Sequence, residues 1–124
     1  MRTFKCPYLN GEVELSDERE MHIAYNHPDL LPEHLIQVGL TLDAPDQVRR
    51  SLRMSSARIF CRRFEEVRHI VPTSSRRSYG MPLREGKYIV VVVVSESMPV
   101  MRHWIITAYM TRRLVNGEVE WRKT

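Results

Sequence analysis

The chain has 124 residues, 43% hydrophobic and 27% charged, with a formal net charge of +4. That length holds one domain with a single modest core, and the composition excludes disordered and fibrous classes. No run approaches the roughly 20 apolar residues that cross a bilayer, and the N-terminus lacks the apolar core of a signal peptide, so a cytoplasmic protein with no membrane contact is expected.

Asn10-Gly11 signals a turn into a short strand, Glu12 to Leu15. Ser16 reads as a helix N-cap, with Asp17 and Glu18 favourable in the first turn. The helix is expected to run to about Asn26 and to stop at His27-Pro28, because a residue before proline avoids the helical region. A second helix is predicted from near Pro32 to about Leu42, with Leu35, Val38 and Leu42 at helical spacing. Beyond the break at Asp43-Ala44-Pro45-Asp46 the pattern turns to strands. Gln47 to Leu52 is polar and suits an edge; Ala57 to Phe64 carries Ile59, Phe60, Cys61 and Phe64, and Val67 to Val71 extends it or forms another. Residues 72–87 are turn-rich and basic and are expected to form a long mobile loop. Tyr88 to Val94 is continuous and β-branched, as a central strand is. Trp104 to Thr111 follows, and Asn116-Gly117 is a strong hairpin signal that would return the chain as a strand from Glu118 to Arg122. The expected fold is therefore α+β: two N-terminal helices packed on one face of a four- to five-stranded antiparallel sheet, residues 1–124 forming a single domain.

The charge is unevenly spread. Residues 1–48 carry three basic and nine acidic side chains, residues 49–87 eleven and three, and residues 88–124 five and three. The basic residues are sixteen arginines and three lysines. Arginine presents a planar fork to phosphate and stacks on bases, so an arginine-rich central block is the electrostatic footprint of a nucleic-acid binder. Arg49, Arg50, Arg62, Arg63, Arg76 and Arg77 are its candidate contacts. Cys6 and Cys61 form no CxxC pair and read as reduced, packed thiols.

The stretch from Trp104 to Thr111, taken with the period of a strand, has two faces. Trp104, Ile106, Ala108 and Met110 point one way, as core. Ile105, Thr107, Tyr109 and Thr111 point the other, presenting three hydroxyls on a working face.

Arg19-Glu20-Met21-His22-Ile23 with His27-Pro28, Thr41 through Val48, Arg58-Ile59-Phe60, Gly86 through Val92 and Ile105-Ile106-Thr107-Ala108-Tyr109 occur here in that order. Together they resemble the phage-type barnase–EndoU–colicin–RelE-like (BECR) nucleases, over about Glu12 to Trp121. The resemblance implies an RNA endonuclease that needs no metal or cofactor and acts as a toxin or effector domain, with RNA as substrate. An acidic inhibitor protein would then be a partner. The positions that match the pattern are His22, Arg58, Thr107 and Tyr109, with His27 also in register.

RNA cleavage without a metal needs a base for the 2′-hydroxyl, an acid for the leaving oxygen and a cation for the phosphorane. His22 suits the acid–base role, with Glu18 one turn away to orient it. His27, at the negative end of the same helix, is a second titratable candidate. Arg58 is the candidate cation, and Thr107 and Tyr109 would position the substrate. The alternative is a catalytically inactive RNA-binding or protein-interaction module on the same fold.

Overall fold

A computed structural model describes the backbone of residues 1–70 and 84–124, and side chains for residues 1–67 and 86–124. In chain order the elements are β1 (Arg2–Cys6), a single 3-10 turn (Pro7–Leu9), β2 (Gly11–Leu15), α1 (Asp17–Asn26), α2 (Leu35–Asp43), β3 (Gln47–Arg50), β4 (Ala57–Ile70), β5 (Arg84–Glu96), β6 (Arg102–Thr111) and β7 (Glu118–Arg122). The seven described strands form one sheet in the order β1-β2-β6-β5-β4-β3-β7.

This corrects the expected architecture in three respects. The sheet has seven strands rather than four or five, it is mixed rather than antiparallel, and the strand expected before the helices is the second arm of an N-terminal hairpin. β1 escapes a periodicity reading because only Phe4 and Cys6 point inward before Pro7 interrupts the pattern. The parallel contact joins β2 to β6 at Glu14 and Trp104. Arg102 pins that contact, its guanidinium donating to both Glu14 carboxylate oxygens at 2.7 and 3.3 Å while lying 5.6 Å from the Trp104 ring centre.

Local chemistry sets both helices. The Ser16 hydroxyl accepts from the Arg19 amide at 3.1 Å, and Asp17, Glu18 and Glu20 lie in the first turn of α1 where the dipole favours them. The His27 amide closes the helix onto the Ile23 carbonyl at 2.7 Å, just before Pro28. Pro32 does not begin α2, which starts at Leu35. Ile23 of α1 and Val38 and Leu42 of α2 pack on Phe60, Ile89, Val91 and Val93. That layer is the main core, and it lies on one face of the sheet.

The central strand is β5, whose residues alternate between that core and the opposite, helix-free face. On the helix-free face Ile59, Cys61 and Val90 form a second apolar cluster with Tyr88, Val92, Tyr109 and Leu114. The expected loop at 72–87 falls mostly outside the described residues, but Arg84 to Lys87 belong to β5.

The connection from β6 to β7 is not a hairpin. β7 pairs with β3 at the far edge of the sheet, so residues 112–117 cross over β5, β4 and β3. Four strand spacings of about 4.8 Å make roughly 19 Å, which six residues cover only when nearly extended. Leu114 anchors the crossing chain in the second apolar cluster. Gly117 ends it at φ +79°, where a Cβ would stand 2.7 Å from the Arg50 carbonyl oxygen and 3.0 Å from Ile59. A turn signal is local information, and here the edge that β7 joins is decided by distant packing: Trp121 and Glu120 meet Tyr8.

Replacing Gly117 by alanine imposes both an unfavourable φ and a backbone collision. Gly117→Ala is expected to destabilise the fold by about 1–3 kcal/mol in urea unfolding, whereas Gly11→Ala, whose Cβ would meet nothing closer than 3.9 Å, should cost under about 1 kcal/mol. Equal losses at the two positions would show that the crossing is not closely fitted.

Candidate nucleic-acid interface

β6 carries a bulge that decides which side chains reach which face. Val92 stands opposite Thr107 and Val93 opposite Ile105, leaving Ile106 as the extra residue. Below the bulge Thr107, Tyr109 and Thr111 share the helix-free face with Val90 and Val92, while Ala108 and Met110 join the core, as the alternation suggests. Above it the faces exchange: Ile105 is buried in the main core and Trp104 lies outside it.

The crossing segment turns the helix-free face into a trench. Two adjoining recesses share Ile59, Tyr109, Val115 and Asn116. One continues to Arg49, Thr111 and Arg113; the other opens toward Ser51, Arg53 and Thr107. Among the described residues no acidic side chain lines either recess. Among the described residues Arg49, Arg53 and Arg113 are in no ion pair. Arg49 is instead held by neutral partners: its Nε donates to the Gln47 amide oxygen at 2.8 Å and its Nη1 to the Asn116 carbonyl at 3.0 Å. Its charge is therefore fixed in place without being cancelled.

The three hydroxyls differ in availability. Thr111 is spent on the chain turn, donating to the Arg113 carbonyl at 2.9 Å and accepting from the Arg113 amide at 3.2 Å. The Tyr109 hydroxyl accepts from Asn116 Nδ2 at 3.1 Å, which fixes its position and leaves its own proton to donate. Thr107 has no hydrogen-bond partner among the described residues.

Below Trp104 the outer edge of β6 meets no strand among the described residues, and α1 packs there instead. The half-buried His27 ring sits 6.1 Å from the Tyr109 ring, centre to centre. His27 lies outside the regular helix, at φ −132° and ψ 67°, which frees its side chain from helical spacing and lets it turn to β6. His22 is exposed on α1. Its orienting partner is Asn26, with Nδ2 3.1 Å from the imidazole Nε2 and 2.9 Å from the His22 carbonyl, rather than Glu18.

Arg58 is not in this trench. It stands opposite Val93, on the core side of the sheet. There its Nε donates to Glu120 at 2.8 Å, Arg50 donates to the other carboxylate oxygen at 3.2 Å, and the Tyr8 hydroxyl donates at 2.5 Å. Burial and the bond to Glu120 raise the Tyr8 phenol above its usual range. Burial pushes Glu120 upward, but Tyr8 and Arg58 outweigh it and hold the carboxyl below its ordinary value. Strand register separates Arg58 from Thr107 and Tyr109, and no periodicity within β4 alone could reveal that.

The other basic candidates divide between the faces. Arg62 lies on the core side, donating to the Leu40 and Ala44 carbonyls at the end of α2 and stacking 4.9 Å from the Phe64 ring centre. Arg63 stands opposite Tyr88 and pairs with Glu65. Arg76 and Arg77 lie outside the described residues. Arg53, Arg113 and Asn116 were not singled out by sequence, since their relevance depends on where the chain crosses.

Near the Arg58 cluster, buried His103 has its Nδ1 2.7 Å from the Ser95 hydroxyl. Burial and then the Arg58 charge push its pKa below the usual value. Both cysteines are free and buried, and burial raises the Cys61 thiol to about 12, so neither is a reactive thiolate. Among the described residues no three His, Cys, Asp or Glu side chains converge, and no helix is long and apolar enough to cross a membrane. Comparison with protein-family models, curated proteins and solved structures finds no match.

The shifts at His103 and Glu120 act in the same direction. Each group has a folded pKa below its unfolded value, so the unfolded chain takes up protons first and stability falls with pH. The loss is expected to begin below about pH 6.5, where histidine in the unfolded chain takes up its proton, and to steepen below about pH 4.3, where unfolded glutamate does the same. Urea midpoints measured from pH 7.5 to 4 should hold level at first and decline below about pH 6.5, and His103→Gln should flatten the part above about pH 5. An unchanged slope in that variant would remove His103 from the account.

Proposed function

We propose that this protein is a small RNA endonuclease acting by 2′-hydroxyl transesterification without a metal, and that the trench on the helix-free face holds its substrate. The observation that carries the reading is the meeting of His27 with Tyr109 at the edge of that trench. An imidazole stands there beside a fixed phenol, the Thr107 hydroxyl and arginines that, among the described residues, no carboxylate pairs with. The order of motifs that resembles the BECR nucleases supports the same chemistry.

In this reading a phosphodiester lies along β6. Tyr109 and Thr107 donate to its non-bridging oxygens, and Arg49 with Arg113 supplies the positive charge that favours the phosphorane. These arginines take the part expected of Arg58. His27 accepts the 2′-hydroxyl proton as that oxygen attacks phosphorus. The bond from phosphorus to the 5′-oxygen then breaks, leaving a 2′,3′-cyclic phosphate and a protonated 5′-hydroxyl. His22, held by Asn26 on the same helix, is the second acid–base candidate and the source of the leaving-group proton. An RNA-directed toxin or effector of this kind works in the cytoplasm and calls for an acidic inhibitor protein that covers the arginines.

Purified protein incubated with total RNA and tRNA in excess EDTA should yield discrete fragments ending in cyclic phosphate. His27→Ala and His22→Ala should each lower the rate at least about 100-fold, the usual contribution of a positioned acid or base. Tyr109→Phe should lower it about tenfold or more, and folded Arg58→Ala should stay within about threefold of wild type. Cleavage lost in Arg58→Ala but kept in His27→Ala would move the site to the other face. Intact RNA from well-folded wild type would favour a binding module without catalysis.

A further inference from the structure

The β1 edge of the sheet takes no part in the trench, and two features there lack a partner at once. β1 pairs with β2 on one side and with no strand on the other among the described residues. A five-residue edge leaves outward amides and carbonyls that can take a further strand. Beside it runs α2, which carries no charged side chain before Asp43 at its last position. The outer side of a surface helix is ordinarily charged or polar. Here it presents Ile36, 75% exposed, and one turn on Leu40, 39% exposed.

The two features adjoin. Arg2, Thr3 and Phe4 of β1 and Leu35, Ile36 and Gly39 of α2 line one groove of about 780 Å³, counting its open mouth. Gly39 lets the elements approach closely: a Cβ there would stand 3.0 Å from the Phe4 ring. The charges that could guard the edge are used within the chain. Arg2 Nε donates to Glu20 at 2.9 Å, and Lys5 Nζ lies 4.0 Å from Asp43. What faces outward is an unpaired backbone and an apolar, uncharged flank, with matched ion pairs at the rim. A charge-depleted centre of apolar character marks contacts between identical subunits.

β1 is also able to pair with itself. Centred on Phe4, an antiparallel copy sets Arg2 opposite Cys6, Thr3 opposite Lys5 and Phe4 opposite Phe4, so that all five residues pair and no like charges meet. The two-fold axis of such a pair stands perpendicular to the sheet, so both α2 helices fall on one side and both trenches on the other. Pairing β1 with the β7 edge of another copy would instead propagate as an open chain.

We infer that β1 is a self-association edge: two copies of this chain join β1 to β1 antiparallel, with the Ile36 and Leu40 flanks of α2 closing over the joint, into a closed dimer with one continuous sheet.

Sedimentation velocity on the full chain, from micromolar to submillimolar concentration, should show a species of twice the chain mass and nothing larger. Ile36→Glu puts a charge at the joint, yet in a single copy that side chain stays in solvent and suits the first turn of α2. The variant should keep its circular dichroism spectrum and lose at least about tenfold in association. A second readout fixes the register. In the Thr3→Cys, Lys5→Cys double variant, mild oxidation should link two chains covalently, because directly opposite residues stand within disulfide reach. Glu118→Cys on the β7 edge should not link them. Wild type that stays monomeric at every concentration overturns the inference and leaves the edge to a different protein. So does a dimer that Ile36→Glu leaves intact, growth into species larger than two, or linkage through Glu118→Cys at an equal rate.

Discussion

The structure depends on how six residues cross the helix-free face of the sheet. Without residues 112–117 lying over β5, β4 and β3, that face would be an open, half-apolar surface. Leu114 gives the crossing its hydrophobic anchor, Arg49 holds it by the Asn116 carbonyl, and Gly117 permits the close pass over Arg50. The same segment delivers Asn116 to Tyr109 and Arg113 to the trench. One topological choice thus closes a second small core and builds the walls of the candidate site.

The two faces of the sheet divide the polar residues by task. On the core side Arg50, Arg58, Tyr8 and Glu120 satisfy one another, and their charges are largely spent in tying β7 and the N-terminal turn to the sheet. On the helix-free face Arg49 is held by a carbonyl and an amide oxygen, which fix its guanidinium without neutralising it. That difference, more than the total of basic residues, distinguishes a stabilising network from a surface that can receive an anion.

Local signals in the sequence were read well where the structure is locally determined. Ser16 caps α1, His27-Pro28 ends it, and the β-branched run around Val90 lies in the central strand. What the sequence hid depends on distant partners. The β1 strand is too short to show a period, the parallel contact at Trp104 is a single juncture, and β7 chose the β3 edge over the hairpin that Asn116-Gly117 suggested. The candidate site was legible in the same measure. Thr107 and Tyr109 stood out because alternation assigns them one face, and the bulge at Ile106 reverses that alternation only above them. Arg58 went to the other face because its placement is set by register with β5, which no single strand encodes.

The most direct test of the central claim is to map which face an RNA analogue touches. Amide chemical shifts of ¹⁵N-labelled protein, followed during titration with an uncleavable 2′-O-methyl trinucleotide, report both faces at once. The account requires concerted shifts at His27, Arg49, Thr107, Tyr109 and residues 113–117, with Tyr8, Arg58 and Glu120 unmoved. Shifts concentrated at Tyr8, Arg58, His103 and Glu120 would contradict it and assign the nucleic acid to the opposite face.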